Sequence, residues 1–170
     1  MFNLKSTLSK KLTDKMIKEI CFLKDKQWRH GTKLQLKWFE NNVKKNDLHN
    51  LFYINSKLIG YTLLRKRTCK YENLNNKIQY LLLDTLILDK KFRSRKLSSL
   101  LMNFNNEIIK HSGLSSFLTC EDELVDFYKK NNWKKLNKHK FNIGDGIFTS
   151  NGMIYNRIDF DKKCIFYINK

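Results

Sequence analysis

The sequence contains no proline and only 6 glycines. Lysine, asparagine and isoleucine are abundant throughout, so the missing proline reads as the composition of an AT-rich genome, which raises lysine everywhere. Cysteine is sparse: Cys21, Cys69, Cys120 and Cys164 lie far apart and form no C-x-x-C pair. That speaks against zinc and dithiol motifs and leaves reduced cysteines packed as small apolar residues. His30, His49, His111 and His139 show neither H-x-x-x-H nor H-E-x-x-H spacing, so no metal is expected. No apolar run nears the roughly 18 residues of a membrane span. The longest, Tyr80 to Leu88, is short and carries Asp84. Met1 to Leu12 lacks the apolar stretch of a signal peptide. A cytoplasmic protein with no membrane partner is the expectation.

Acidic residues are also few, 16 against 34 basic ones, for a net charge of +18. A basic chain can meet nucleic acid, acidic lipid or an anionic ligand. Here the basic residues are spread along the chain with no dominant block. A solvated basic surface is therefore the plainer reading, with nucleic acid the lesser one. What is present suffices for a core: 170 residues, 41% hydrophobic and 13% aromatic, fit one domain spanning 1–170.

Phe2 to Ser6 reads as a short edge strand. Thr13 is placed to cap a helix in which Met16, Ile17, Ile20, Leu23 and Lys24 recur at helical spacing to about Gln27. Gly31 breaks it, and Leu34, Trp38 and Phe39 mark a second helix ending near Asn46-Asp47. Leu51 to Asn55 and Leu58 to Arg67 read as a hairpin turning at Ser56-Lys57. The asparagine-rich stretch 71–77 is a loop. Ile78 to Leu88 is a central strand buried on both faces. Leu97, Leu100, Leu101, Phe104, Ile108 and His111 form an amphipathic helix that Ser112-Gly113 stops. Leu114 to Cys120 is a strand. Glu121-Asp122-Glu123 opens a short helix with Leu124, Phe127 and Tyr128 inward. Lys134 to Phe141 and Cys164 to Asn169 close the chain as strands, with 143–161 irregular between them. The order predicts one mixed α/β domain.

The segment from Leu81 to Leu101 carries the most chemistry. A buried strand ends in a short basic turn and runs directly into a helix, a junction where backbone N–H groups and a helix dipole can hold a phosphate. Arg93-Ser94-Arg95-Lys96-Leu97-Ser98 has the position and register of the motif Q/R-x-x-G-x-G/A. Downstream, Phe127-Tyr128-Lys129-Lys130-Asn131-Asn132-Trp133 matches a helix ending in F-Y-x-x-x-G-F/W. Upstream, Leu58-Ile59-Gly60-Tyr61 matches an I-G-Y/F strand. In these patches, taken in order, the sequence resembles the GNAT superfamily of acyl-CoA-dependent N-acyltransferases related to Gcn5. The resemblance covers most of the chain, best from Leu51 to Leu136. It departs at the glycines: Lys96 and Ser98 stand at the motif's small-residue positions, and Asn132 replaces a glycine.

The resemblance implies a single mixed, mostly antiparallel central sheet flanked by helices, with acetyl-CoA as cosubstrate. It implies backbone contacts to the thioester from Leu86, Ile87 and Leu88, and to the pyrophosphate from Arg93, Ser94, Arg95, Lys96, Leu97 and Ser98. Arg95 and Lys96 add charge for phosphates. It places Asp84 as a catalytic carboxylate and general base; the plainer alternatives are that Asp84 only binds a cationic amine or pairs with a lysine. Tyr128 falls where a tyrosine protonates the departing thiolate. Trp28, Trp38, Tyr61 and Tyr155 are candidate pocket residues. Cys120 is read as a buried strand cysteine and Asp89 as a turn residue. The expected activity is N-acetylation of a small-molecule amine or amino sugar by a monomer or homodimer. A protein N-terminus or lysine as acceptor, and a GNAT scaffold that binds without catalysis, are the alternatives.

Overall fold

The structure is a computed structural model that describes residues 1–72, 74, 76–93, 96–144, 150–156 and 163–168. Its order is β1 (Phe2–Leu8), α1 (Asp14–Gln27), α2 (Thr32–Asn42), β2 (Leu48–Ile54), β3 (Lys57–Tyr71), β4 (Lys77–Leu88), α3 (Leu97–Ser112), β5 (Ser115–Cys120), α4 (Asp122–Lys130), β6 (Lys134–Lys135), β7 (Phe141–Ile143), β8 (Asn151–Tyr155) and β9 (Cys164–Tyr167). These strands form one hydrogen-bonded sheet. Contacts group the chain into two compact units, Met1–Arg65 with Asp84–Asn105, and Lys66–Leu83 with Asn106–Lys170. Among the described residues no helix is long and apolar enough to cross a membrane.

In the first unit, β1, β2 and β3 pair antiparallel in sequence order. The β2–β3 turn lies at Asn55-Ser56, with φ of 47° and 64° at its two residues. That is one residue earlier than the sequence suggested. Asparagine tolerates the left-handed backbone that a tight hairpin needs, and Lys57 is left to open β3. Thr13 caps α1 by accepting from the Met16 N–H at 3.3 Å. Helix α2 stops at Asn42, short of Asn46-Asp47. The Asn42 amide turns back to donate to the Trp38 carbonyl at 2.8 Å, and Val43 becomes extended. The core joins Ile20, Leu23, Phe39, Leu51, Leu63 and Ile87. A smaller cluster of Phe52, Ile59, Leu88 and Leu101 packs around Gly60. A Cβ there would stand 3.1 Å from Leu101 and 3.2 Å from Leu88, so glycine lets α3 sit close to β3.

In the second unit β4 and β5 run parallel over Tyr80–Leu82 and Ser115–Phe117. Strand β8 pairs antiparallel with both β5 and β6, while β9 pairs antiparallel with β3 and parallel with β7. The mostly antiparallel mixed sheet matches the expectation. The irregular reading of 143–161 does not hold at Asn151–Tyr155, which is strand β8. Its short apolar run is masked by Gly152, which is there for packing: a Cβ would meet the Phe141 ring at 2.7 Å. The strand expected over Lys134–Phe141 is instead β6, a 3-10 turn at Lys138–Lys140 and the start of β7. On α4 the buried residues are Val125 and Tyr128; Phe127 is half-buried and Leu124 exposed, so the predicted inner face was displaced by one position.

His49 on β2 is fully buried in the first unit. Its Nδ1 lies 2.8 Å from the Tyr61 hydroxyl and its Nε2 2.8 Å from Ser9 Oγ. Burial, with the Lys24 charge adding to it, lowers its pKa from 6.5 to about 4. The unfolded chain therefore binds a proton near pH 6.5 that the folded chain refuses until about pH 4. The neutral imidazole contributes stability in full above pH 6.5, and that contribution is lost as pH falls towards 4, about 3 kcal/mol in all. Urea unfolding of the wild type and of His49→Gln at pH 7 and near pH 4.5 measures this. The variant should show a distinctly smaller loss of stability; equal losses would contradict the assignment.

Candidate functional site

Helices α1 and α2 and the middle of β4 enclose a cleft of about 480 Å³ within the first unit. Lys24 and Trp28, four residues apart at the end of α1, face Leu34, Gln35 and Trp38 of α2 across it. Asp84 and Thr85 of β4 close the third side. Two further hollows of about 380 and 440 Å³ lie in this unit, beside Tyr53 and Glu19 and beside Ile17 and Leu36. Neither is lined by Asp84 or by a tryptophan.

Asp84 does not stand alone on an apolar strand. Arg65 of β3 donates from Nη1 to its Oδ2 at 2.5 Å. The same guanidinium donates from Nη2 to the Asn42 carbonyl at 2.9 Å and brings Nε to 4.0 Å from Asp47. Among the described residues nothing donates to the other carboxylate oxygen, Oδ1. Asp84 is exposed as a residue although its side chain is only 23% exposed, so much of what faces solvent is main chain. Lys24 is 5% exposed, and its ammonium lies 3.5 Å from the centre of the Trp38 ring. Burial lowers its pKa; Asp84 and Cys21 oppose that shift and Arg65 adds to it.

At the end of β4, Leu86 is half-buried and Ile87 and Leu88 are buried. Asp89 is the turn residue expected: its carboxylate accepts from the Lys91 N–H at 3.1 Å and from the Lys26 ammonium at 2.9 Å. Arg93 folds back, donating from Nε to the Leu88 carbonyl at 3.1 Å and from Nη2 to Gln27 at 2.5 Å. Its guanidinium thus ties the end of β4 to the end of α1. Ser94 and Arg95 lie outside the described residues. Lys96, at the motif's first glycine position, has a φ of 57°. The left-handed backbone that glycine would supply is present without the glycine, and Lys96 is exposed. Leu97 and Ser98 open α3, whose first hydrogen bond runs from the Leu100 N–H to the Lys96 carbonyl at 3.1 Å. The N–H groups of Leu97, Ser98 and Ser99 lie before it and have no acceptor within the helix. Main-chain N–H groups that a helix leaves without an acceptor of its own are the kind of donor that a pyrophosphate takes.

The second unit holds Tyr128, buried on α4. Burial, with Cys120 adding to it, pushes the phenol well above its ordinary range, so it keeps its proton. Trp133 and Phe127 pack beside it, at 6.0 and 5.2 Å between ring centres. Asn132 has a φ of 67°, the backbone for which a glycine is usual. Burial pushes the Cys120 thiol up to about 11, which suits a packed residue and not a nucleophile. Tyr155 stacks on Trp133 at 5.5 Å, inside the core. Tyr61 is likewise buried, bonded to His49. Of the four aromatic pocket candidates, Trp28 and Trp38 line the cleft while Tyr61 and Tyr155 are core residues.

Arg65 is not singled out by the sequence, and Lys24 stands there only as a member of the α1 pattern. The signal was there in both cases: a basic residue on an apolar stripe. In a chain with 34 basic residues such a signal is faint.

No protein-family model matches the sequence, and no curated protein matches it. Solved structures do. YhbS, a GNAT family N-acetyltransferase from Escherichia coli in complex with CoA, superposes with a TM-score of 0.65 at 13% identity, over 91% of this chain and 82% of its own. An aminoglycoside 6'-N-acetyltransferase complexed with coenzyme A gives 0.64 at 11% identity, over 91% and 99%. The ribosomal-protein-S18-alanine N-acetyltransferase from Escherichia coli gives 0.61 at 11% identity, over 100% and 96%. The fold is that of the GNAT acyl-CoA N-acyltransferases.

The left-handed backbone at Lys96 generates a stability prediction. A Cβ in that region costs roughly 1–2 kcal/mol, which only glycine escapes. Lys96→Gly should be more stable than Lys96→Ala by about 1 kcal/mol in chemical denaturation, the reverse of their order in a helix. Greater stability of the alanine variant would show that the turn does not hold this conformation.

Proposed function

We propose that this protein is an acetyl-CoA-dependent N-acetyltransferase that acts on a primary amine of a small molecule. The observation that supports this most directly is Asp84, set on the central strand of an acyl-CoA N-acyltransferase fold and lining a cleft walled by two tryptophans. When bound, acetyl-CoA supplies an activated acetyl group as a thioester. The residues suited to hold its pyrophosphate are Lys96, Leu97 and Ser98, through main-chain N–H groups and the Lys96 charge.

The chain's own groups then divide the remaining work. Arg65 occupies Oδ2 of Asp84, which leaves Oδ1 to accept from the acceptor nitrogen. That engagement favours Asp84 as the group that holds and orients the amine over Asp84 as an isolated base in apolar surroundings. The parallel pairing of β4 with β5 ends at Leu82, short of Leu86. Main-chain N–H groups of Leu86 to Leu88 are the proposed donors to an acyl carbonyl oxygen. Tyr128, kept protonated by its burial, is the proposed proton donor to the departing thiolate.

Release of free CoA thiol from acetyl-CoA, followed across a panel of primary amines, tests the activity. With an active amine, Tyr128→Phe should lower kcat by about 100-fold and leave acetyl-CoA affinity within about threefold. Equal loss of both would make Tyr128 a packing residue. Asp84→Asn should raise the amine KM about tenfold or more and leave the pH profile of kcat in place. A vanished limb of that profile, with KM unchanged, would instead make Asp84 the base.

A further inference from the structure

The cleft contains a cation that acetyl transfer does not use. Lys24 is far more buried than Trp28 and Leu34 beside it in the cleft, and its ammonium lies against the Trp38 ring. Among the described residues no carboxylate lies within ion-pair distance of it and no acceptor takes a hydrogen bond from it. Asp84, whose charge reaches it, is bonded to Arg65. A ring face compensates a largely desolvated ammonium only in part, and its remaining N–H groups face the cleft, where solvent or a ligand serves them. Lys24 lines the cleft, so an acceptor group can arrive there with a ligand.

The rest of the lining narrows what that ligand is. Trp28, Leu34 and Trp38 present apolar and aromatic surface. The cleft has one carboxylate, already engaged by a guanidinium, against the Lys24 ammonium. A polycationic amine would find a single half-used acid and would be repelled by Lys24. A molecule that carries an anion beside its amine meets both charges correctly.

We propose that the acceptor is an apolar or aromatic amino acid, whose carboxylate Lys24 binds, whose amine Asp84 takes, and whose side chain lies between Trp28 and Trp38. This rests on the reading of the cleft as the acceptor site of an N-acetyltransferase. It departs from an amino sugar with several amines, whose extra positive charge Lys24 repels.

Phenylalanine and phenethylamine differ only in the carboxylate and provide the test. With saturating acetyl-CoA, the full-length protein should acetylate phenylalanine with a kcat/KM at least about tenfold above that for phenethylamine. Lys24→Met should lower the phenylalanine value about tenfold more than the phenethylamine value, and Lys24→Arg should restore part of the preference. The variant comparison removes any contribution from the different basicity of the two amines. A wild-type ratio at or below one, or equal losses for both substrates in Lys24→Met, would overturn the proposal. If Lys24→Met does not fold, Lys24→Gln takes its place. Failure of the enzymatic reading looks different: no thiol is released with any amine. Calorimetric titration with the two compounds alone then decides. Phenylalanine binding that Lys24→Met weakens about tenfold would uphold the carboxylate site, and no preference over phenethylamine would reject it.

Discussion

The Arg65 guanidinium is the element on which the cleft depends. One buried side chain reaches the end of α2 through the Asn42 carbonyl, approaches Asp47 in the following loop, and bonds Asp84 on β4. Asp47 in turn accepts from the Lys44 N–H and shapes the descent from α2 into β2. Removing one partner of a buried pair leaves the other charge uncompensated and costs about 3–5 kcal/mol. Here solvent at the partly exposed Asp84 softens that figure. What the pair fixes is geometry: it holds a carboxylate at the floor of a cleft and leaves one of its oxygens uncommitted.

The charge arrangement follows from that constraint. With Arg65 committed to Asp84 and Asp47, Lys24 is left to the Trp38 ring. The tryptophan face compensates part of the charge of that buried ammonium. His49, buried in the same unit, stays neutral because burial, with the Lys24 charge adding to it, disfavours its protonated form. At the far end of β4, the entrance to α3 achieves with Lys96 and a left-handed backbone what small residues usually provide. The loss of glycine there changes the residue and keeps the shape.

Much of this architecture was legible in the residues. The Thr13 cap, the apolar spacing of α1 and α3, the hairpin of β2 and β3, and the long apolar run of β4 are local signals with local causes. Asp84 stood out because a carboxylate interrupts that run. Other features depend on distant partners and leave little trace in the chain. Strand β8 looks like loop because Gly152 is dictated by Phe141. Helix α4 is so short that Leu124 and Val125 compete for its inner face, and tertiary packing decides for Val125. Arg65 and Lys24 resemble the solvated lysines and arginines of a chain at +18 until the fold buries them. A pattern of apolar residues predicts which face turns inward; it does not reveal which charged residue is carried along with it.

We propose that this fold receives acetyl-CoA although the turn Arg93 to Ser98 contains no glycine. Calorimetric titration of the protein with acetyl-CoA in about 0.15 M salt, where screening acts beyond about 8 Å, separates a built site from attraction to a basic surface. Saturable binding at one molecule per chain is expected, surviving a further rise in salt and competed by CoA. No saturable heat up to high micromolar acetyl-CoA, or binding that salt abolishes, would contradict it.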